Sequence, residues 1–309
     1  MTAATRRTGG PSSTPRLSLR RSRQLQGIAY ATPTIVLVAV FFILPLLLVG
    51  RMSVSDWSLL SGDRGINFPD NFAEITPNRL FWPAVVFTIE YTLLVTVMLV
   101  GLGLGLALLV QEGGRYVGGL RTIFLLPVAV GLASASLLFW GLYSPSIGPI
   151  GPVLQQMGLT SEPISFLGTP LAALLSTTFL IVWKFAGLYM LILLVGLQAI
   201  PREVYEAAAV DGASRSQTLR RVTLPLLRPS LALALILCVT GSLLAFDQFF
   251  ILTKGGPNNS TVTVVQLIYR EAFQRQNLGT AAALSIIVLI VLLALNVVQF
   301  RGLRSPDKA

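Results

Sequence analysis

Three ionisable residues lie within long apolar stretches of this chain: Glu90, Lys184 and Asp247. Charged side chains in such stretches usually face the interior of a helix bundle or a water-filled cavity. Two interpretations therefore stand side by side. One is a structural ion pair of Lys184 with Asp247 or Glu90, and the other is the polar lining of a solute path. Because the chain has no histidine and a single cysteine, we expect no metal site and no histidine proton relay.

The most ordered polar stretch is residues 206–225, EAAAVDGASRSQTLRRVTLP, which lies between two apolar runs. Pro201 suits the first turn of a helix, so the pattern predicts a helix from there through Ala209. Gly212 can adopt a positive φ angle at low cost and predicts a turn. Ser214 to Gln217 then reads S-x-x-Q, the pattern of a capping box that begins a second helix.

The second helix of this stretch is predicted to end at Leu224-Pro225 and Pro229, before the next apolar run. A charged loop that is rigid only for stability is one interpretation of the whole segment. The other is a docking element, because Ala207, Ala208 and Ala209 would give the first helix a small surface that a partner can approach closely.

The composition indicates a membrane protein with several spans. The chain is 53% hydrophobic and 12% charged, whereas soluble domains carry about 25% charged residues. Backbone groups in lipid must be satisfied within a helix, so the runs predict an all-α transmembrane fold. Gly101 and Gly105 form a G-x-x-x-G pattern that favours close helix packing. The predicted domain covers 27–302, with spans at about 27–50, 83–110, 122–143, 169–198, 230–252 and 279–300.

The 23 Lys and Arg residues predict the orientation, because they concentrate in segments on the cytoplasmic side of a membrane. Most belong to the basic tail 1–26, the segment 201–229 and the tail 303–309, so we expect both termini in the cytoplasm. Segments 51–82 and 144–168 are then external, the first as a small cap and the second as an irregular loop. Anionic lipid head groups are a secondary partner of the basic charge, and nucleic-acid binding is not expected.

The polar stretch resembles the signature loop of ABC importer permeases. That loop reads E-A-A, three residues, G, nine residues, a β-branched residue, any residue and L-P. Val222 stands where isoleucine is common. The flanking residues 196–201 and 253–257 resemble the carbohydrate branch, which includes maltose and glycerol-phosphate permeases, and the resemblance covers roughly residues 25–302. The matching positions are Glu206, Ala207, Ala208, Gly212, Leu224 and Pro225.

The resemblance implies a six-helix type I ABC importer permease fold with a cytoplasmic helix-turn-helix coupling loop at 201–229. In that family Glu206, Ala207, Ala208 and Gly212 would couple to an ATPase dimer, and Leu224-Pro225 would set the join to the fifth span. The family also implies a second homologous permease, an extracytoplasmic solute-binding protein and alternating access across a bacterial cytoplasmic membrane. The chain contains no G-x-x-x-x-G-K-[ST] phosphate loop. ATP and Mg would therefore bind to the partner, and this chain is expected to be non-catalytic with no cofactor of its own.

The implied cargo is a sugar or sugar-like solute, which binds through hydrogen bonds and aromatic faces. The candidates for its path are Trp183, Lys184, Tyr189, Ser242, Asp247 and Gln248. Two alternatives remain: a secondary transporter driven by an ion gradient, and a membrane scaffold that transports nothing. The first predicts several embedded acidic residues and broken helices in inverted repeats, and it leaves the polar stretch unexplained. The second predicts no substrate-dependent ATPase activity in a reconstituted complex.

Overall fold

The computed structural model describes residues 28–158, 160 and 164–302 and divides at Arg51 and Met52 into two units. The predicted tails 1–26 and 303–309 lie outside the described residues. The described part of the first unit belongs to helix α1, Ile28–Ser53, whose last two residues fall in the second unit. This helix contains a π-helical turn at Ala39–Ile43. Its apolar length suits a membrane span.

Among the described residues, the second unit contains two strands and twelve further α-helices of four residues or more. In chain order they are β1 (Ser55–Ser58), β2 (Gly62–Ile66), α2 (Asp70–Ala73), α3 (Phe81–Val110), α4 (Val117–Ala129), α5 (Leu132–Tyr143), α6 (Ile150–Gln156), α7 (Pro170–Gln198), α8 (Arg202–Val210), α9 (Arg215–Thr218), α10 (Arg228–Leu243), α11 (Asp247–Leu252), α12 (Val264–Tyr269) and α13 (Leu278–Gly302).

The all-α transmembrane fold is confirmed, with five described helices long and apolar enough to span a membrane, or six if the bent pair α4 and α5 is one span. The exception is the antiparallel hairpin of β1 and β2, which lies in the segment predicted to be an external cap. A backbone hydrogen bond of 2.9 Å from Leu59 to Gln276 joins this hairpin to the approach to α13. The segment predicted to be an irregular loop contains the short helix α6.

Helix α7 forms the centre of the second unit. Its most apolar window is 61% buried, against 33% for α3, because α3, α4 and α10 all pack around it. A Cβ atom added to Gly103 of α3 would lie 2.8 Å from the Cβ of Tyr189 on α7. Gly101 and Gly105, the predicted packing pair, have open space instead. Two residues along a helix turn the side-chain direction by about 200°, so these glycines lie on the opposite face from Gly103.

The range 122–143 was predicted as one span, but two helices, α4 and α5, meet there at 94°. Helix α4 ends at Ala129, and Val130 (φ −74°, ψ 131°) and Gly131 (φ −58°, ψ 144°) are extended. Pro127 lies in the last turn of α4, where its missing N–H weakens the helix. The bend leaves backbone carbonyls that need donors inside the bundle.

Lys184 provides such donors. The structural ion pair, one of the two interpretations of this residue, is therefore wrong. This α7 side chain is 3% exposed, and its Nζ donates to the carbonyl oxygens of Val128, at 3.3 Å, and of Val130. Within residues 28–158, 160 and 164–302, neither Asp247 nor Glu90 forms an ion pair with it. The carbonyls freed by the bend satisfy the ammonium group, so no carboxylate is required.

The helix after the glycine turn also differs from its predicted end at Leu224-Pro225. Helix α9 continues through a π-helical turn, Leu219–Thr223, and a helical turn at Leu224–Leu226, and α10 begins at Arg228. The Leu224 N–H donates to the Leu219 carbonyl oxygen, five residues back. This wider register accommodates Pro225, which has no N–H to offer the normal helical ladder.

Candidate functional site

The predicted helix–turn–helix is present, and its first member α8 lies between two well-defined ends. Pro201 precedes the helix with extended backbone angles (φ −59°, ψ 142°), and Glu203 lies in the first turn. A carboxylate at this position is favoured by the positive end of the helix dipole. The sequence therefore specifies where α8 begins without help from the rest of the fold.

Gly212 ends α8 in a Schellman motif. Its φ angle is +71°, its N–H donates to the Ala209 carbonyl oxygen at 3.1 Å, and the Ala213 N–H donates to the Ala208 carbonyl oxygen at 3.0 Å. Both bonds satisfy carbonyls that a helix end would leave free. A residue with a Cβ is disfavoured at this φ angle, so the chain reversal depends on glycine.

The predicted capping box is confirmed immediately after this turn. The Gln217 N–H donates to Ser214 Oγ at 3.3 Å, and the Ser214 N–H donates to Gln217 Oε1 at 2.8 Å. Two reciprocal bonds fix the start of α9 relative to the end of α8. The segment from Pro201 onward is thus a preformed shape and not a loose loop.

Helix α8 leaves most of its surface uncovered. None of its residues is buried, and the apolar side chain of Val210 is 87% exposed. Glu206 is also exposed, and no hydrogen bond or ion pair within the described part of the chain engages its carboxylate. An exposed surface of small and apolar side chains beside a free carboxylate suits the docking of another protein.

The two spans that flank α8 in the chain, α7 and α10, contact each other near the ends that lead into and out of the α8 segment. A Cβ added to Gly196 of α7 would lie 2.1 Å from Ser230 Oγ and 2.7 Å from Leu227 Cδ1. Leu227 is fully buried, and Leu197 is 4% exposed. Because well-packed interiors transmit strain, a displacement of α8 would move the ends of α7 and α10 together.

A second feature is a cavity of about 500 Å³ inside the bundle. It lies where α10 stops and α11 begins, and the three linking residues, Leu244 to Phe246, are non-helical. Non-helical backbone at membrane depth is tolerated where it lines a cavity. The polar or aromatic side chains of the wall, and its cysteine, are Tyr91, Phe185, Tyr189, Cys238, Ser242, Phe246, Asp247 and Gln248.

Gln248 gives this cavity an unused hydrogen-bond acceptor. The side chain is 3% exposed, and its Nε2 donates to Tyr91 Oη at 3.0 Å. Its Oε1 is buried and has no partner among the described residues. A buried acceptor without a donor costs about 1–3 kcal/mol.

Four of the six candidate path residues, Tyr189, Ser242, Asp247 and Gln248, lie on this cavity. Trp183 packs against Phe139, with 5.2 Å between ring centroids, and Lys184 binds the bend of α4. Neither belongs to the cavity wall. Glu90 is exposed on α3.

The sequence-based prediction missed Tyr91, Cys238 and Gly241, which also lie on the cavity. Gly241 and Ser242 interrupt the apolar run of α10, and that interruption was the available signal. Tyr91 lies beside Glu90, the ionisable residue that the sequence analysis singled out, but Tyr91 is buried and Glu90 is exposed on α3.

Comparison with known proteins places this geometry in a family. Residues 16–301 match the family described as binding-protein-dependent transport system inner membrane component. The chain is 31% identical over 252 residues to a probable ABC transporter permease protein, YurN, of Bacillus subtilis, covering 81% of this chain and 86% of the relative. It is 32% identical over 278 residues to the trehalose/maltose transport system permease protein MalF of Thermococcus litoralis, covering 89% of this chain and 92% of that protein.

A solved structure agrees in fold. A chain from the crystal structure of a bacterial ABC transporter involved in the import of the acidic polysaccharide alginate superposes with a TM-score of 0.83 and 25% identity. The match covers 95% of this chain and 100% of the other. The chain therefore belongs to the family of binding-protein-dependent transport system inner membrane components.

Proposed function

We propose that this chain is the membrane-spanning subunit of an ATP-driven importer for a carbohydrate, and that it works by alternating access. The observation that carries the proposal is α8: an exposed, preformed helix with the E-A-A…G pattern and a free Glu206 carboxylate. The chain itself has no phosphate loop, so a separate ATPase dimer would supply the energy. Docked at α8, its closure would displace the joined ends of α7 and α10.

The other partners follow from the same proposal. A second homologous permease would complete the bundle, and a solute-binding protein would deliver the sugar on the outer side. A related alginate transporter has been solved in complex with a pentasaccharide-bound periplasmic protein, which supports such a partner here. Both termini and α8 would face the cytoplasm, in accordance with the distribution of Lys and Arg.

The cavity supports carbohydrate as the cargo. Its wall combines aromatic rings, hydroxyl groups, the Asp247 carboxylate and the unused Gln248 acceptor. The acceptors suit the hydroxyl groups of a neutral sugar, and the flat apolar rings suit the faces of its ring. The trehalose/maltose permease among the relatives supports the same class.

A secondary transporter remains the second candidate only because of the broken helices, at α4–α5 and at α10–α11. Such breaks also occur in ion-driven transporters. The family match and the α8 geometry favour the ATP-driven importer, because an ion-driven transporter has no use for a preformed docking helix. A scaffold would have no use for a cavity with unmet hydrogen-bond capacity.

Filling the cavity tests its role in transport. Gly241 lines it and a Cβ there meets nothing within 4 Å, so Gly241→Leu should fold and obstruct the path. We expect uptake of a sugar that the proposed solute-binding protein binds to fall by at least about tenfold, equivalent to roughly 1.4 kcal/mol. Gly241→Ala should have a smaller effect.

The matched control is Gly105→Leu, at another glycine with open space but outside the cavity wall. It should transport normally. Normal uptake by the Gly241→Leu importer, with the variant present in the membrane at wild-type amount, would remove the cavity from the path.

A further inference from the structure

A second, smaller pocket lies near the opposite end of α11 from the cavity. It has a volume of about 300 Å³. Its wall provides two aromatic rings, two side-chain amides and two cations, with no carboxylate among them. The residues are Phe250, Lys254, Gln266, Tyr269, Arg270 and Gln274. Flat rings beside directional polar groups are the usual make-up of a small-molecule site.

Gln266 shows that this pocket has unmet binding capacity. The side chain is 2% exposed, and its Oε1 is buried and has no partner among the described residues. The backbone N–H of Gln266 donates to Thr263 Oγ1 at 3.1 Å, so the residue is held in place. A buried acceptor in a native fold calls for an explanation, and a hydroxyl donor from a ligand would supply it.

The wall of the pocket is built before any ligand arrives. Lys254 (φ 52°) and Asn259 (φ 61°) both have left-handed backbone angles, which are uncommon for non-glycine residues other than Asn and Asp. Arg270 ties the two residues together, because its Nη1 donates to Asn259 Oδ1 at 2.8 Å and its Nη2 to the Lys254 carbonyl oxygen at 3.1 Å. Two protein acceptors thereby hold the guanidinium group, whereas the exposed Lys254 ammonium has no protein partner in the described part of the chain.

Aromatic rings connect this pocket to the cavity. Phe246 lies on the cavity wall, and its ring stacks on that of Phe250 at 5.0 Å between centroids. Tyr269 contacts both rings, at 5.4 Å to Phe246 and 5.0 Å to Phe250. Phe246, Phe250 and Tyr269, together the aromatic bridge, therefore present continuous ring surface from one site to the other.

We propose that the small pocket is a second carbohydrate subsite, in which one sugar ring stacks on Phe250 and Tyr269 before it reaches the cavity along the aromatic bridge. Lys254 donates to a ring or hydroxyl oxygen, and the Gln266 amide turns its buried Oε1 into the pocket to accept from a sugar hydroxyl. This subsite rests on the proposed function, because it would face the side from which the binding protein delivers the sugar. The transported sugar would thus have a second binding position outside the cavity.

Saturation-transfer difference NMR on the full chain in lipid nanodiscs tests this, with trehalose, maltose and raffinose as probes. The Gly241→Leu protein isolates the small pocket, because its cavity is filled. We expect that protein to retain a sugar signal. Adding Tyr269→Leu should weaken the apparent affinity about tenfold, as loss of an aromatic contact and its buried area allows. Adding Tyr269→Phe, which keeps the ring, should restore it.

Phe68→Leu is the control, because Phe68 is 66% exposed and is remote in sequence from the pocket; it should leave the signal unchanged. If wild type binds a sugar and the Gly241→Leu protein binds none, the second subsite is wrong while the proposed function stands. Equal sugar affinity of the Tyr269→Leu and Tyr269→Phe proteins would also show that the second subsite is wrong while the proposed function stands. If none of the three sugars gives a signal with wild type, the carbohydrate assignment falls together with the subsite.

Discussion

Replacing Gly187 by alanine is expected to separate α4 from α7 and to remove most of the folded protein. The added Cβ would lie 2.0 Å from the carbonyl oxygen of Phe124, 2.6 Å from its carbonyl carbon and 3.0 Å from the N atom of Leu125. All three are backbone atoms, so no rotamer change relieves the clash. Helix α4 must move away as a unit.

The displacement would cost more than the clash alone. Overpacking a core typically costs about 1–3 kcal/mol, and the same shift would draw the α4 end away from the Lys184 ammonium. A buried charge that loses its partners is penalised further. Fluorescence-detected size-exclusion chromatography of the detergent-solubilised protein should show the monodisperse peak reduced and its melting temperature lowered.

Gly105→Ala provides the control for this stability measurement. Gly105 is exposed on α3 with nothing within 4 Å of its Cβ position. Alanine is favoured over glycine in helices by about 1 kcal/mol, so this variant should be at least as stable as wild type. If the Gly187→Ala and Gly105→Ala proteins have the same melting temperature, the close approach of α4 to α7 is incorrect.

Reversing the charge of Glu206 is expected to abolish uptake while the chain stays folded in the membrane. The side chain is exposed on α8 and engages no partner within the described residues, so Glu206→Lys removes nothing from the fold. If its carboxylate meets a basic group of the ATPase, the lysine would repel that group. Gly212→Val should act in the same direction, because valine cannot readily adopt a φ angle of +71°.

Glu203→Lys is the matched control for Glu206→Lys. It makes the same charge reversal one turn earlier on α8, outside the E-A-A pattern, and loses only a helix-dipole contribution of about 0.3–1 kcal/mol. Uptake and ATPase activity of the reconstituted complex should remain near wild type. If Glu206→Lys retains half or more of the wild-type uptake, or if Glu203→Lys is equally inactive, Glu206 has no specific role in coupling.

The helix–turn–helix segment 201–229 could be predicted because local chemistry determines it. Gly212 and the Ser214–Gln217 box act on backbone groups within five residues of themselves, so their effect is readable from the sequence. The resemblance carried by the same residues then identified the family, which the comparisons confirm.

The bend between α4 and α5 could not be predicted in this way. It lies within an apolar run, and the carbonyls that it frees are satisfied by Lys184, more than 50 residues further along the chain. The partners of Lys184 could not be predicted for the same reason. They are backbone carbonyls freed by the bend, and the pattern of charged residues contains no information about such carbonyls. Gly103 was overlooked in favour of Gly101 and Gly105, because only the packed bundle shows which face of α3 meets α7.

The central claim is that this chain imports a sugar with energy from a separate ATPase docked at α8. The direct test is uptake by proteoliposomes that contain the chain with its proposed ATPase, second permease and binding protein, and no ion gradient. We predict uptake that requires enclosed ATP and Mg and the sugar-loaded binding protein. Uptake by this chain alone, driven by an ion gradient without ATP, would contradict the account.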